Sequence, residues 1–139
     1  MTIGFRYVFF SALTGLLCGE TTARATNTIS INTPAGGTSY SSGAQVTVGG
    51  EVDYTWLIDT SPYHVKIRAI DNNGVTTSDL EASVTWANTS SGSFSWPVTM
   101  PNPPGEATII ATSLDYYWNE LAYNPKGYTI LPMIPPGMP

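Results

Sequence analysis

The chain has 139 residues, enough for one domain with a modest hydrophobic core. Its net charge is −5 at pH 7 and only five residues are Lys or Arg, which argues against binding to nucleic acids or anionic membranes. Charged residues make up 11% of the chain, against about 25% in an ordinary soluble domain. A surface of this kind is typical of secreted polymers, cell-surface domains and crowded arrays.

Residues 1–25 are predicted to form a secretory signal peptide. Arg6 precedes an apolar stretch from Tyr7 to Cys18, and residues 23–25 supply the small side chains needed for cleavage after Ala25. The stretch has about 12 residues and a bilayer span needs about 20, so no membrane span is expected. If the leader is retained, it becomes an anchor or assembly segment. Cys18 is the sole cysteine, so the mature chain is expected to lack a disulfide.

Apolar and polar residues alternate with period 2 through residues 26–131, which favours strands over helices. In chain order, the predicted strands are Thr28–Ile31, Ala44–Val52, His64–Ile70, Leu80–Trp86, Phe94–Val98, Thr108–Ser113 and Tyr128–Leu131. Asn73 and Gly74 predict a tight turn after the third strand, because Asn-Gly readily takes positive φ values. Pro97 lacks a backbone donor and therefore places its strand at an edge. Seven short strands predict an all-β, immunoglobulin-like β-sandwich of about seven strands.

Several short motifs occur along this region in a characteristic order and spacing. They are Pro34 with Gly36 and Gly37, Gly43 before Val46 and Val48, Gly50, Val65 and Ile67 before Asp71 and Gly74, Gly92–Trp96, Gly105, and Ile109–Asp115 with Asn119. Together they resemble a bacterial Ig-like repeat domain of surface adhesins. The resemblance implies an Ig-like sandwich with a spacer or adhesion role. Two departures stand out: Tyr116, Tyr117 and Trp118 occupy a hairpin where such repeats usually place small residues, and a tail follows instead of another repeat.

Catalytic chemistry has little to build on in this sequence. The alternation of the third strand turns Val65 and Ile67 inward and His64, Lys66 and Arg68 outward. His64 is the sole histidine, and the pattern predicts a solvated strand residue. No serine lies in a nucleophile-elbow context. The sequence therefore predicts a protein that is not an enzyme.

Calcium is the one cofactor that the acidic residues suggest, because it binds carboxylate and carbonyl oxygens at loop ends. The candidates are Asp71, Asn73 and Asp79 around one loop, and Asp115 with Glu120 around another. Turn-forming and solvating roles explain these residues equally well. No other cofactor is expected.

Aromatic residues form two groups in the predicted connections. Tyr54, Trp56 and Tyr63 belong to the first, and Tyr116, Tyr117, Trp118 and Tyr123 belong to the second. Consecutive side chains cannot all face one core, so at least one or two of the second group should be exposed. Exposed Tyr and Trp provide contact area for a subunit or a sugar ring. The alternative is that Trp86, Phe94 and Trp96 fill the core while the other aromatics cover its ends.

Residues 132–139 form an apolar, proline-rich tail without a charged side chain. A disordered linker is normally polar, whereas this tail offers Met133, Ile134 and Met138 for contact. It could fold back on its own domain or dock on a neighbouring copy, for example by strand addition at a sheet edge.

The sequence therefore predicts a secreted, non-enzymatic structural or adhesive protein at the cell surface. The sharper hypothesis is self-assembly into a filament or surface array through the C-terminal segment and the exposed aromatics. The alternative is a carbohydrate-binding module that stacks sugars on Tyr116, Tyr117 and Trp118. The expected partners are other copies of the chain, surface glycans or other extracellular proteins.

Overall fold

The computed structural model describes residues 27–56 and 59–133. Within these residues the chain forms nine strands and no helix: β1 (Thr28–Thr33), β2 (Ser39–Ser41), β3 (Gln45–Asp53), β4 (His64–Ile70), β5 (Thr76–Ala82), β6 (Val84–Trp86), β7 (Ser91–Thr99), β8 (Gly105–Leu114) and β9 (Glu120–Leu131). This part of the chain accordingly holds no helix of the length and apolarity that a membrane span needs. The predicted leader 1–25, Ile134 and Met138 lie outside the described residues.

The nine strands make two sheets. One has the order β1-β3-β7-β6, and the other has the order β2-β9-β8-β4-β5. β2 runs parallel to β9, and the other neighbours are antiparallel. The all-β prediction is confirmed.

Buried side chains from both sheets meet in one hydrophobic cluster. In β4, Val65, Ile67 and Ala69 are buried while the residues between them are partly exposed, as the alternation predicted. The four-stranded sheet contributes Val48 and Phe94 among others. Burying a large aliphatic or aromatic side chain contributes about 1.5–3 kcal/mol, so this cluster is the main source of stability.

Gly50 lets three strands approach closely in the four-stranded sheet. It pairs with Ile31 of β1 and with Phe94 of β7. A Cβ at Gly50 would collide with the Ser30 carbonyl oxygen and with the Phe94 ring. The missing side chain is therefore what allows Phe94 to cross β3 and enter the core.

The last strand is fixed to the β1–β2 connection by Tyr128. This side chain is fully buried, and its hydroxyl donates a hydrogen bond of 2.8 Å to the Pro34 carbonyl oxygen. Its ring packs against Tyr40, with 6.2 Å between the ring centroids. Burial raises the pKa of Tyr128 to about 12, because the charged phenolate would lose its hydration.

The prediction of about seven strands is wrong, since the described residues form nine. β2 was not predicted because it lies between the turn residues Gly36, Gly37 and Gly43. The predicted strand Leu80–Trp86 contains parts of two strands in different sheets. β5 ends at Ala82 and β6 begins at Val84, so the chain changes sheets at Ser83. A period of 2 continues through such a change, which is why the pattern alone reads as one strand.

Trp86 shows the consequence of this change of sheet. One alternative from the sequence placed Trp86 in the core, yet it is 41% exposed at the edge of the four-stranded sheet. Its indole lies over Gly92, its partner in the β6–β7 pairing, where a Cβ would be 2.6 Å from the ring. Of the three aromatics predicted for the core, only Phe94 is fully enclosed; Trp96 is partly buried.

Pro97 is at an edge in a limited sense. Its strand, β7, is interior, between β3 and β6. However, β6 pairs only with Gly92–Phe94, so β7 has a strand on one side only at Pro97. The position tolerates proline because no partner on the other side needs its N–H group.

Candidate functional site

The five-stranded sheet turns one face to the core and the other, here called the outer face, to the surroundings. His64, Lys66 and Arg68 of β4 lie on the outer face, as the alternation predicted. Two carboxylates of β5 reach them: Glu81 Oε2 is 2.6 Å from His64 Nδ1, and Asp79 Oδ1 is 2.9 Å from Lys66 Nζ. The face therefore carries charges of both signs.

The hairpin between β8 and β9 is held in shape by Asp115. Its Oδ1 accepts the backbone N–H groups of Tyr117 at 2.8 Å and Asn119 at 2.9 Å, and its Oδ2 accepts the Asn119 side-chain amide at 3.0 Å. Trp118 takes a left-handed conformation with φ 68°. The hydrogen bonds from Asn119, more than the contribution of Tyr117, lower the pKa of Asp115, because they stabilise the ionised carboxylate.

This hairpin builds a row of five rings, here called the aromatic ladder: Tyr63, His64, Tyr116, Tyr117 and Trp118. The Trp118 indole stacks on the His64 imidazole with 3.5 Å between centroids and 10° between planes. Tyr63 meets His64 and Tyr116 edge to face, at 4.8 Å and 5.0 Å. Tyr116 meets Tyr117 in the same way at 5.2 Å. The three edge-to-face contacts are of a kind that aromatic rings prefer, whereas Trp118 and His64 lie face to face.

The ladder is exposed despite its internal contacts. Tyr117 is 78% exposed, Tyr63 and Tyr116 are each exposed by more than 60%, and Trp118 is 51% exposed. The three consecutive aromatics of the hairpin thus all stay outside the core. They form an apolar patch that a partner could cover.

His64 is not the solvated residue that the sequence predicted. Its side chain is 11% exposed, since Trp118 covers the ring and Glu81 binds Nδ1. The outward direction was correct, but the cover comes from a hairpin 50 residues further along the chain. A local pattern gives no sign of such a contact.

Two adjoining hollows of about 250 Å³ and about 240 Å³ lie on the outer face beside the ladder. Both contain Arg68, Thr112 and Glu120. The first is completed by Ile110 and Tyr123, and the second by Lys66, Asp79 and Leu114. Among the described residues, neither Arg68 nor Glu120 forms a side-chain ion pair. These polar groups are therefore open to a ligand.

Sequence reasoning gave no role to Arg68, Lys66 or Thr112. The signal that could have found them is the strand register, since Lys66 pairs with Thr112, and Thr112 pairs with Tyr123. Tyr123 is 61% exposed and belongs to β9, not to a connection.

The other predicted aromatic contacts lie apart from the ladder. Tyr54 packs edge to face on Trp86 of the four-stranded sheet, with 6.0 Å between centroids. Trp56 is 54% exposed in the connection after β3. Tyr63, which follows them in sequence, joins the ladder instead.

The calcium candidates are not brought together. Asp71 Oδ1 accepts the N–H groups of Asn73 at 2.8 Å and Val75 at 2.9 Å, and so shapes the β4–β5 turn. Asp79 pairs with Lys66, while Asp115 lies at the opposite end of β4 from Asp71. The described residues contain no group of three or more His, Cys, Asp or Glu side chains placed to hold a metal. Calcium binding stays a prediction.

A separate hollow of about 610 Å³ lies where β2 and β9 end. It is lined by Ser41, Ser42, Leu131, Pro132 and Met133. Leu131 is 45% exposed and Met133 is 74% exposed. Of the predicted tail contacts, Met133 is thus placed at an apolar surface.

Comparison with known proteins gave likenesses of structure only. No protein-family model matches the chain, and no curated protein matches it in sequence. Spo0M, a sporulation control protein from Bacillus subtilis, is similar with a TM-score of 0.55 at 8% identity, over 81% of this chain and 51% of Spo0M. The chain therefore spans about half the length of Spo0M, and at this identity the likeness concerns the fold alone.

Two other solved structures show lower similarity. A CARDB domain from Pyrococcus furiosus, solved in complex with di-metal ions, has a TM-score of 0.47 at 15% identity over 86% of this chain and 100% of that domain. Murine CRIg has a TM-score of 0.32 at 14% identity over 76% of this chain and 98% of its own. Both neighbours are Ig-like. No sequence-family match links the chain to adhesin repeats in particular, and that resemblance stays a prediction.

Proposed function

We propose that this chain is an Ig-like β-sandwich domain with a non-enzymatic, adhesive role at the cell exterior, and that the outer face is its binding surface. The observation that carries the proposal is the aromatic ladder, in which four rings are each more than half exposed. The single cluster of buried side chains shared by the two sheets supports a sandwich. The predicted leader and the low surface charge support an exterior location.

The ladder suits binding because its rings are positioned before a partner arrives. The hydrogen bonds of Asp115 fix the hairpin, and ring contacts fix the side chains on it. A large aromatic side chain offers about 150–250 Å² of surface. Rings that are already ordered lose little conformational entropy on binding, so more of the contact energy becomes affinity.

The environment of His64 suits a supporting role in the ladder. Glu81 engages Nδ1, and the Trp118 indole stacks on the face of the ring. These contacts make His64 a support for the ladder.

An adhesion assay on a surface array tests the proposal. Glycans and purified extracellular proteins are printed, and the labelled chain is compared with Trp118→Asn, a change that keeps a residue tolerant of the left-handed conformation. Binding should fall at least about tenfold in this variant, the loss expected for one hot-spot aromatic. Trp86→Ala, an exposed tryptophan on the other sheet, is the matched control and should bind normally. Equal binding by wild type and Trp118→Asn would sink the proposal.

Self-assembly is a second candidate, favoured by the apolar hollow at the β2–β9 edge. Leu131 and Met133 leave an exposed apolar surface there, next to the tail of residues 132–139. Docking of a tail on the hollow of another copy is a heterologous contact, which propagates unless rotation closes a ring. A filament or surface array would follow.

Light scattering on the chain with and without residues 132–139 tests this candidate. The full chain should form large particles, and the shortened chain should be monomeric. Met133→Lys should reduce assembly in the same way, whereas Val75→Lys, at another apolar residue that is more than half exposed, in the β4–β5 turn, should not. Assembly that survives the deletion, or a full chain that is already monomeric, would contradict it.

A further inference from the structure

We infer that the ligand of the outer face is a neutral polysaccharide, held between Trp118 and Tyr123 across the two hollows. The inference rests on the proposed adhesive function and narrows its partner to one chemical class. It follows from the charge, the hydrogen-bonding groups and the spacing of the rings on this face.

The charges lining the two hollows balance. Lys66 and Arg68 are opposed by Asp79 and Glu120. An anionic polymer would meet both carboxylates, and a cationic polymer would meet both cations, so neither gains from the charges that line the hollows. The chain as a whole has a net charge of −5, which adds to the cost for an anionic polymer. A neutral ligand meets no such opposition.

The groups left open in the hollows match sugar hydroxyls. Arg68 can only donate hydrogen bonds, and ionised Glu120 can only accept them. Each hydroxyl of a sugar both donates and accepts, so neighbouring hydroxyls can satisfy both side chains at once. Hydrogen bonds to charged groups are about twice as strong as neutral ones. A polyol therefore uses this pair better than an apolar ligand could.

Protein partners fit the hollows less well. The buried centre of a protein interface is depleted in Lys, Glu and Asp. The second hollow is lined by one residue of each type: Lys66, Asp79 and Glu120. Burying them against a protein would remove water from the Lys66–Asp79 pair and would bury the Glu120 carboxylate, which has no ion pair among the described residues. A hydroxyl-rich chain, which keeps water nearby, avoids this cost.

The Trp118 and Tyr123 rings lie on either side of the polar side chains that line the two hollows. His64 covers one face of Trp118, so the exposed half of the indole offers its other face to a ligand. Tyr123 lies two strands from β4 and, by register, two residues along from the level of His64. With strands about 4.8 Å apart and about 3.3 Å per residue, the backbone positions of Tyr123 and of His64, on which Trp118 stacks, are about 12 Å apart. A ligand contacting both is therefore a chain of sugars, not one ring.

Titration calorimetry with soluble polysaccharides tests the inference. Xyloglucan, mixed-linkage β-glucan and galactomannan serve as neutral probes, with polygalacturonate and chitosan as anionic and cationic ones. At least one neutral probe should bind. Raising the salt from about 0.1 M to about 1 M, which shortens the Debye length from about 10 Å to about 3 Å, should change its affinity less than about twofold.

The variants locate the site. Trp118→Asn, Tyr123→Ala and Arg68→Ala should each weaken binding of the neutral probe by at least about tenfold, while Trp86→Ala should leave it unchanged. Near-ultraviolet circular dichroism checks each fold. If Trp118→Asn disturbs the hairpin, Tyr123→Ala decides the matter, because it lies within β9 and outside the turn.

Two results would overturn the inference. The first is binding to a charged probe alone, weakened by salt. The second is the absence of neutral-probe binding while Trp118→Asn still abolishes binding to a protein on the surface array. In the second case the adhesive function stands and only the neutral polysaccharide is rejected.

Discussion

Replacing Tyr128 by Phe tests how the last strand is fixed to the fold. The change removes the hydroxyl that donates to the Pro34 carbonyl oxygen and keeps the buried ring. An intramolecular hydrogen bond contributes about 1 kcal/mol net. At neutral pH the variant should therefore unfold with a free energy lower than that of wild type by about 1 kcal/mol.

Alkaline pH should reverse this order. Burial raises the pKa of Tyr128 to about 12 from 10.0, so below pH 10 the phenol is neutral in both states. Between those values the unfolded chain releases the proton and the folded chain keeps it. The free energy of unfolding of the wild type therefore falls by about 1.4 kcal/mol per pH unit, and the total loss reaches about 2.7 kcal/mol above pH 12. The variant lacks this loss, so the two curves should cross at about pH 11.

Urea denaturation at a series of pH values from neutral to strongly alkaline measures both effects. Tyr123→Phe, an exposed tyrosine on the same strand, is the control and should follow the wild-type curve throughout. Curves for Tyr128→Phe and wild type that stay parallel up to the highest pH would exclude a raised pKa of Tyr128 in the folded chain. So would an unchanged stability at neutral pH.

Two further predictions concern the sheet and the hairpin. Gly50→Ala should lower the free energy of unfolding in urea melts by about 3 kcal/mol or more, because its Cβ would collide with the Ser30 carbonyl oxygen. Gly127→Ala is the control. A Cβ there meets nothing within 4 Å, so this variant should stay within about 0.5 kcal/mol of wild type. A stable Gly50→Ala protein would contradict the packing of β1 on β3. Acid should loosen the β8–β9 hairpin only below pH 3.8, since the pKa of Asp115 is lowered and its hydrogen bonds are lost as pH falls through that reduced value. Protection of the Asn119 amide against hydrogen exchange, relative to its intrinsic rate, should fall there; a lack of protection at pH 6, or protection unaffected by Asp115→Ala, would exclude this role.

Local alternation was sufficient to predict much of the fold. The inward residues of β4 follow from period 2, and Gly74 takes the positive φ, 81°, that its turn sequence predicted. Alternation does not indicate which sheet a strand joins. For that reason Leu80–Trp86 was predicted as one strand, although it contains parts of two strands in different sheets. The early half of β9 was missed because Asn124, Pro125 and Lys126 obscure its pattern.

Only part of the candidate site could be predicted from the sequence. A run of three aromatics predicts exposure, because one core cannot take consecutive side chains. The stacking of Trp118 on His64, and the meeting of Arg68 with Glu120 in one hollow, join residues about 50 apart in the chain. Such contacts depend on the antiparallel pairing of β4 with β8 and of β8 with β9, which no local pattern encodes.

Indole signals test directly whether ligands bind through the outer face of the five-stranded sheet. The chain has four tryptophans, and the indole N–H groups give separate signals in two-dimensional proton–nitrogen spectra. Trp118→Asn identifies its own signal by the loss of one peak. On addition of the neutral polysaccharide that binds, the Trp118 signal should shift or broaden while those of Trp56 and Trp86 stay in place. A shift of the Trp56 or Trp86 signal with an unchanged Trp118 signal would contradict binding at the outer face.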